Sequence, residues 1–109
     1  MAERKVIWTE TAARQRRYIL EYWLNRNKSS TYPINLLRLS NEKANRISAD
    51  PLIYKTSEFP DIRVAAMGHF SLFYKVTDEA IIVMAFWDNR QDSKKLLALL
   101  KESYGEQKR

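Results

Sequence analysis

Hydrophobic and polar positions divide this chain into a helical first half and a strand-rich second half. The segment 62–90, IRVAAMGHFSLFYKVTDEAIIVMAFWDNR, holds three runs rich in β-branched and aromatic residues, parted by Gly68-His69 and by Thr77-Asp78-Glu79. Short punctuation between such runs is the sequence form of consecutive hairpins, and it predicts strands over 62–67, 70–76 and 80–87. In the middle run Phe70, Leu72, Tyr74 and Val76 fall on one face and Ser71, Phe73 and Lys75 on the other. The last run is apolar at almost every position, which predicts a strand covered on both faces. The meander stops in Asp88-Asn89-Arg90-Gln91-Asp92, a polar turn that leaves a guanidinium at the rim of the sheet.

The first half has a different period. Lys5-Val6-Ile7-Trp8 is strand-like and ends at Thr9, which with Glu10 makes an N-cap followed by an acid in the first helical turn. No Gly or Pro interrupts 10–27, and Ala12, Ile19 and Trp23 with Ala13, Leu20 and Leu24 form a helical stripe. Arg14, Arg17, Glu21 and Arg26 fill the other faces, while Arg16 lies beside the stripe, where its stem lines the core edge and its head reaches water. The Arg14, Arg16, Arg17 cluster reads either as a solvated face or as a contact for a phosphate backbone. After Lys28-Ser29-Ser30-Thr31, Pro33 opens a second helix that carries Ile34, Leu37, Ala44 and Ile47, with Leu36 and Leu39 widening its stripe. Pro51 ends it near Asp50. Residues 52–61 form an irregular connection, suited to function or to packing over a sheet edge. Leu96, Leu97, Leu99 and Leu100 mark a short terminal helix from Ser93, and residues 103–109 are expected to fray.

In sequence order these elements predict an α+β fold in which an N-terminal αα-hairpin packs one face of a two-layer, antiparallel four-stranded sheet. A last strand covered on both faces needs two neighbours, which gives the spatial order first, fourth, third, second. The strand 62–67, with Arg63, is then an edge, and the second sheet face stays partly open and bears Arg63 and, at its end, Arg90.

At 109 residues the chain makes one domain, 1–109. With no cysteine, disulfides and thiolate metal sites are excluded. No apolar run approaches the ~20 residues of a membrane span, and Met1-Ala2-Glu3-Arg4-Lys5 leads into a strand rather than a signal-peptide core, so a cytoplasmic protein without membrane contact is expected. A formal charge of +6 favours a polyanion, either nucleic acid or an acidic protein segment. The single histidine, His69, has no second ligand for a metal, and Gly68 and Gly105 alone cannot build a phosphate loop. No metal and no small-molecule cofactor are therefore expected. His69 reads as an exposed turn residue, with a general acid or base as the alternative.

Val6-Ile7-Trp8-Thr9, Ala12, Ile19, Tyr22-Trp23, Pro51, Ile62-Arg63, Gly68-His69-Phe70, Leu72-Phe73-Tyr74, Ile81-Ile82-Val83 and Asp88-Asn89-Arg90-Gln91-Asp92 together resemble the RelE/ParE toxin superfamily over nearly the whole chain. The resemblance implies a plasmid-stabilisation type toxin of a bacterial type II toxin-antitoxin module, silenced by a cognate antitoxin. Some members cleave mRNA on the ribosome and others poison DNA gyrase. Arg63 matches a basic position on the second strand and Arg90 the arginine after the last one, so these two, with His69, are the candidate catalytic residues. Ala65 and Ser71 stand where a nuclease carries further cations, and the late tyrosine position falls near Leu96 unless Tyr104 substitutes for it. The resemblance therefore points to the ParE-like branch, with Arg63, Arg90, Arg14 and Arg17 binding the antitoxin or the target. The alternatives are a ribosome-dependent mRNA endoribonuclease and a basic nucleic-acid-binding module without toxicity.

Overall fold

The computed structural model describes residues 4–107. The expected polar lead-in at 1–3 and the last two residues of the expected frayed tail, 108–109, lie outside the described residues. The elements run β1 (Lys5–Trp8), α1 (Glu10–Asn27), α2 (Thr31–Ala49), β2 (Arg63–Met67), β3 (Phe70–Val76), β4 (Ala80–Asp88) and α3 (Ser93–Gln107). The sheet order is β1-β4-β3-β2, as the apolar pattern requires. Gly68 takes the first position of the two-residue β2–β3 turn at φ +68°, a conformation that costs a Cβ-free residue little.

Two expectations need correction. The sheet is mixed: β1 runs parallel to β4, Lys5 opposite Ala80 and Trp8 opposite Val83. No hairpin joins these two strands, so no local turn fixes their relative direction. α1 starts beside Val83, whose carbonyl accepts from the Thr9 N–H, and runs on toward the end of β4. Only α2 returns to the lower end of the sheet, where the Ser48 hydroxyl donates to the Arg4 carbonyl. β1 and β2 therefore start at the same end. The second sheet face is also not left open. α3 covers it with Leu96 and Leu100, packed on Phe73, Ile82, Met84, Ala85 and Trp87, while α1 and α2 pack Ile19, Leu36 and Ile47 on Phe70, Leu72, Tyr74, Ile81, Val83 and Phe86. Helices on both faces bury β4 from Ala80 to Trp87.

The alternation of β4 breaks once. Phe73 faces Ala85 and Tyr74 faces Val83, so Met84 is an extra residue, a β-bulge that puts Met84 and Ala85 on the α3 side. The Met84 carbonyl accepts from the Ser103 hydroxyl at 2.6 Å, and Ser103 also meets the Thr9 hydroxyl at 2.9 Å. A carbonyl only accepts, so the one Ser103 proton goes to Met84 and Thr9 donates to Ser103. Thr9 in turn caps α1 by accepting from the Ala12 N–H.

α3 does not fray at 103 but continues to Gln107, because Glu106 closes on the start of α1. Its carboxylate accepts from the N–H groups of Glu10 and Thr11 at 2.7 and 2.9 Å, and from the Thr11 hydroxyl. Desolvation raises the Glu106 pKa, but the hydrogen bonds from Thr11 and Glu10 outweigh it and hold the group below the ordinary glutamate range. A lowered folded-state pKa stabilises the fold above the unfolded value and stops doing so as pH falls through the folded one. The thermal unfolding midpoint of the wild type should therefore fall from about pH 5 to 3 more steeply than that of Glu106→Gln. Parallel declines would show that this contact does not couple to folding.

The connection at 50–62 straps the lower sheet edge. The Tyr74 hydroxyl donates to the Pro51 carbonyl at 2.8 Å, Thr56 bridges Arg63, and Phe59 packs edge-on against Phe73. Burial pushes the Tyr74 pKa up to about 12, which makes it a fixed neutral strut rather than a proton donor for chemistry.

Candidate functional site

The residues singled out in the sequence do not converge. Arg63 starts β2 at the lower end, where its Nη1 donates to the Tyr54 carbonyl at 2.8 Å. Arg90 follows β4 at the upper end. Arg63 stands opposite Tyr74 and Asp88 opposite Phe70, with Arg90 two residues further on, so four strand steps, about 13 Å, part the two levels before the turn to Arg90 begins. Ala65 and Ser71 are buried and supply no charge between the two. Arg14 is exposed and pairs with Glu102 across to α3 at 3.1 Å. Arg17 is exposed on α1. His69 is exposed in the β2–β3 turn, as expected, but the turn lies at the Arg90 end: the Asn89 N–H donates to the His69 carbonyl at 2.8 Å.

Arg90 is held by its own turn. Its Nε and Nη2 each donate to the Asp88 carboxylate at 2.9 Å, and its backbone N–H donates to the same group at 3.0 Å. The hydrogen bond to Arg90 keeps the Asp88 carboxyl below its ordinary range, and the same bond raises the Arg90 pKa. A bidentate pair of this kind fixes the guanidinium plane and neutralises most of its field. Arg16, expected to reach water, instead lays its guanidinium 3.9 Å above the Trp8 ring and donates to Ser40 and Asn41 on α2. Burial lowers its pKa. It fastens α1 to α2.

What gathers at the upper corner is aromatic. Tyr22 meets Trp23 edge-on at 5.3 Å, and Trp23 meets Tyr32 at 5.1 Å. Tyr18 and Tyr22, one turn apart, are 64% and 47% exposed. With Arg26, Asp88, Arg90 and Gln91 they line a cup of about 410 Å³. Beside it, between α2 and the β2–β3 hairpin, lies a more apolar groove of about 700 Å³ lined in part by Tyr32, Leu36, Leu39, Met67 and Phe70. The two adjoin: Tyr32 meets Trp23 edge-on, and Arg90 lies 5.9 Å above the Phe70 ring. β2 ends the sheet, and above the Thr56–Arg63 bridge no described strand covers it. Reading the arginines alone missed this corner. The available signal was the i, i+4, i+8 spacing of Tyr18, Tyr22 and Arg26 on one helical face.

Among the described residues no group of three or more His, Cys, Asp or Glu side chains is placed to hold a metal ion, and no helix is long and apolar enough to cross a membrane. The chain can offer hydrogen bonds, cation–π contacts and apolar surface at its upper corner, while Arg63 and Arg90 stand apart from each other.

Comparison with known proteins gives two findings. The family described as the ParE toxin of type II toxin-antitoxin system, parDE, matches residues 6–93. Among solved structures, a chain of the chromosomal ParDE TA system from P. aeruginosa has the same fold, with a TM-score of 0.67 at 17% identity over 77% of this chain and 94% of that one. No curated protein sequence matches.

Proposed function

The chain belongs to the ParE toxin family of type II toxin-antitoxin systems, and from that premise we propose that it poisons an essential macromolecule, DNA gyrase, by binding it, and that a cognate antitoxin neutralises it. The observation that carries the binding mode is the separation of Arg63 from Arg90 together with the capture of Arg90 by Asp88. Cleavage of RNA by its own 2′-OH needs cations and a proton-transfer group gathered around one phosphate. Here the two matching cations sit at opposite ends of β3, and the positions between them are neutral. A binding toxin needs only a rigid scaffold and a surface with aromatic and arginine anchors, the residue types that dominate interface energetics. The apolar groove beside β2 supports the antitoxin half of the reading, since apolar surface of this kind favours a covering partner.

Induced alone in bacteria, the chain should stop growth, and co-expression of the adjacent reading frame should restore it. Purified protein should inhibit gyrase supercoiling and leave mRNA intact in a translating extract. Harmless expression would refute the toxin reading, and mapped ribosome-dependent cleavage would refute the gyrase reading alone. One observation favours the nuclease as the second reading, namely that His69 lies at the same end of the sheet as Arg90. If it holds, His69→Ala and Arg90→Ala each abolish cleavage while the fold survives.

A further inference from the structure

We infer that the cup between α1 and the exit of β4 receives an acidic peptide segment of the silencing partner, with Arg26 taking its carboxylate and Tyr18 and Tyr22 covering the flanking apolar side chain. The inference rests on the antitoxin reading above and specifies how that partner is recognised. Arg26 is exposed in the last turn of α1 and makes no ion pair among the described residues, whereas the other arginine in the cup already has Asp88 on two of its nitrogens. The Asp88 charge is thus used within its own turn, and the cup keeps one unpaired cation beside two half-exposed tyrosines. A cation in a partly enclosed aromatic wall selects an anion that brings apolar surface with it. Tyr32 of the groove meets Trp23 of the cup, and Phe70 of the groove lies beneath Arg90 of the cup, so the two are neighbours and one partner segment can span both.

Nucleic acid fits this surface less well. Polynucleotide affinity comes from several phosphates neutralised along a line. On α1, Arg14 is paired with Glu102, and Arg17 and Arg26 are nine residues, two and a half turns, apart and so point to opposite sides of the helix. No single line along α1 offers a backbone two free cations. A peptide carboxylate needs only the single site at Arg26.

The test uses the whole chain and the protein encoded by the adjacent reading frame, titrated calorimetrically at low and moderate salt. Arg26→Gln and Tyr22→Ala should each weaken binding about tenfold, and Arg26→Glu more, with the salt dependence reduced in both Arg26 variants. Arg38→Gln, which removes an exposed α2 cation paired with Glu42, should stay within twofold of wild type. Unfolding midpoints are expected to match wild type, because these side chains are exposed. Partner binding by Arg26→Gln within twofold of wild type overturns the inference and leaves the toxin reading standing. So does a ten-residue oligothymidylate that competes with the partner and loses its own binding in the same variants, which would assign the cup to nucleic acid. If the wild-type chain binds no such protein at all, the antitoxin reading itself fails, and this inference with it.

Discussion

Phe86→Ala is expected to destabilise the protein by about 3–5 kcal/mol, enough to lower its unfolding midpoint by on the order of 15–25 °C. Phe86 is fully buried in β4, opposite Leu72 of β3. Its ring lies 5.5 Å from Phe70 and 6.4 Å from Trp8, both tilted rather than stacked face to face. Truncation removes the apolar transfer term and leaves a void walled by β3 and by Ile19 of α1 and Leu36 of α2. The β3–β4 ladder holds the sheet side of this void in place, so the site cannot collapse to fill it. Total stability of a domain this size is about 5–15 kcal/mol, so the variant keeps at best a thin margin at 37 °C. Phe59→Ala is the informative contrast. Phe59 is only half-buried, on a loop that rests against Phe73, and its loss should cost about 1 kcal/mol. Urea unfolding of both variants at neutral pH would check the ranking, and a loss below about 1 kcal/mol for Phe86→Ala would mean that the three aromatic rings are not the packed centre of the helix-covered face.

The fold was largely legible because β4 is apolar without alternation. A strand of that kind must lie inside a sheet, and the strand order follows from it. The same uniformity concealed the bulge: Met84, Ala85, Phe86 and Trp87 are all apolar, so no polar residue marks where the register slips. The direction of β1 was not legible, since only the long crossover through α1 and α2 determines it. In the helices, serines interrupted the visible pattern. Ser40 and Ser48 lie on the buried face of α2 with Leu36, Ala44 and Ile47, while Ile34 and Leu37, which carried the expected apolar stripe, are exposed. Each serine tolerates burial because its hydroxyl is engaged, Ser40 with Arg16 and the Leu37 carbonyl, Ser48 with the Arg4 carbonyl.

The site was read less well than the fold, for a geometric reason. Arg63 begins β2 and Arg90 follows the end of β4, and with β3 antiparallel to both, the stretch Phe70–Tyr74 already implied their separation. His69 lies at the Arg90 end because the β2–β3 turn and the exit of β4 must share an end when β3 pairs antiparallel with both neighbours. Only the structure shows that Tyr18 and Tyr22 lie a step around α1 from Ile19 and Trp23, outside the buried stripe.

Ser103→Ala should cost about 2–4 kcal/mol, far more than deleting one hydroxyl from an average helix. The serine is fully buried and is the middle link of a single proton chain, from the Ala12 N–H to the Thr9 hydroxyl, on to Ser103 and then to the Met84 carbonyl. Removing it leaves a donor at Thr9 and an acceptor at the bulge without partners, each in a space closed to water, and both keep their desolvation penalty. The chain also ties three elements at one point: the start of α1, the bulge of β4 and the C-terminal turns of α3. Thr9→Val breaks the first link and uncaps α1 at a cost of about 1–2 kcal/mol. If the links act as one network, the Thr9→Val/Ser103→Ala double variant should be more stable than the sum of the single losses predicts, by about 1 kcal/mol. Strict additivity in urea titrations of all four proteins would show that the hydroxyls act independently, and that α3 stays on the sheet through Leu96 and Leu100 rather than through its polar seam. Coupling of the expected size would make the attachment of α3 depend on the capping of α1, so that the helix lining the cup and the helix on the far side of the sheet come loose together.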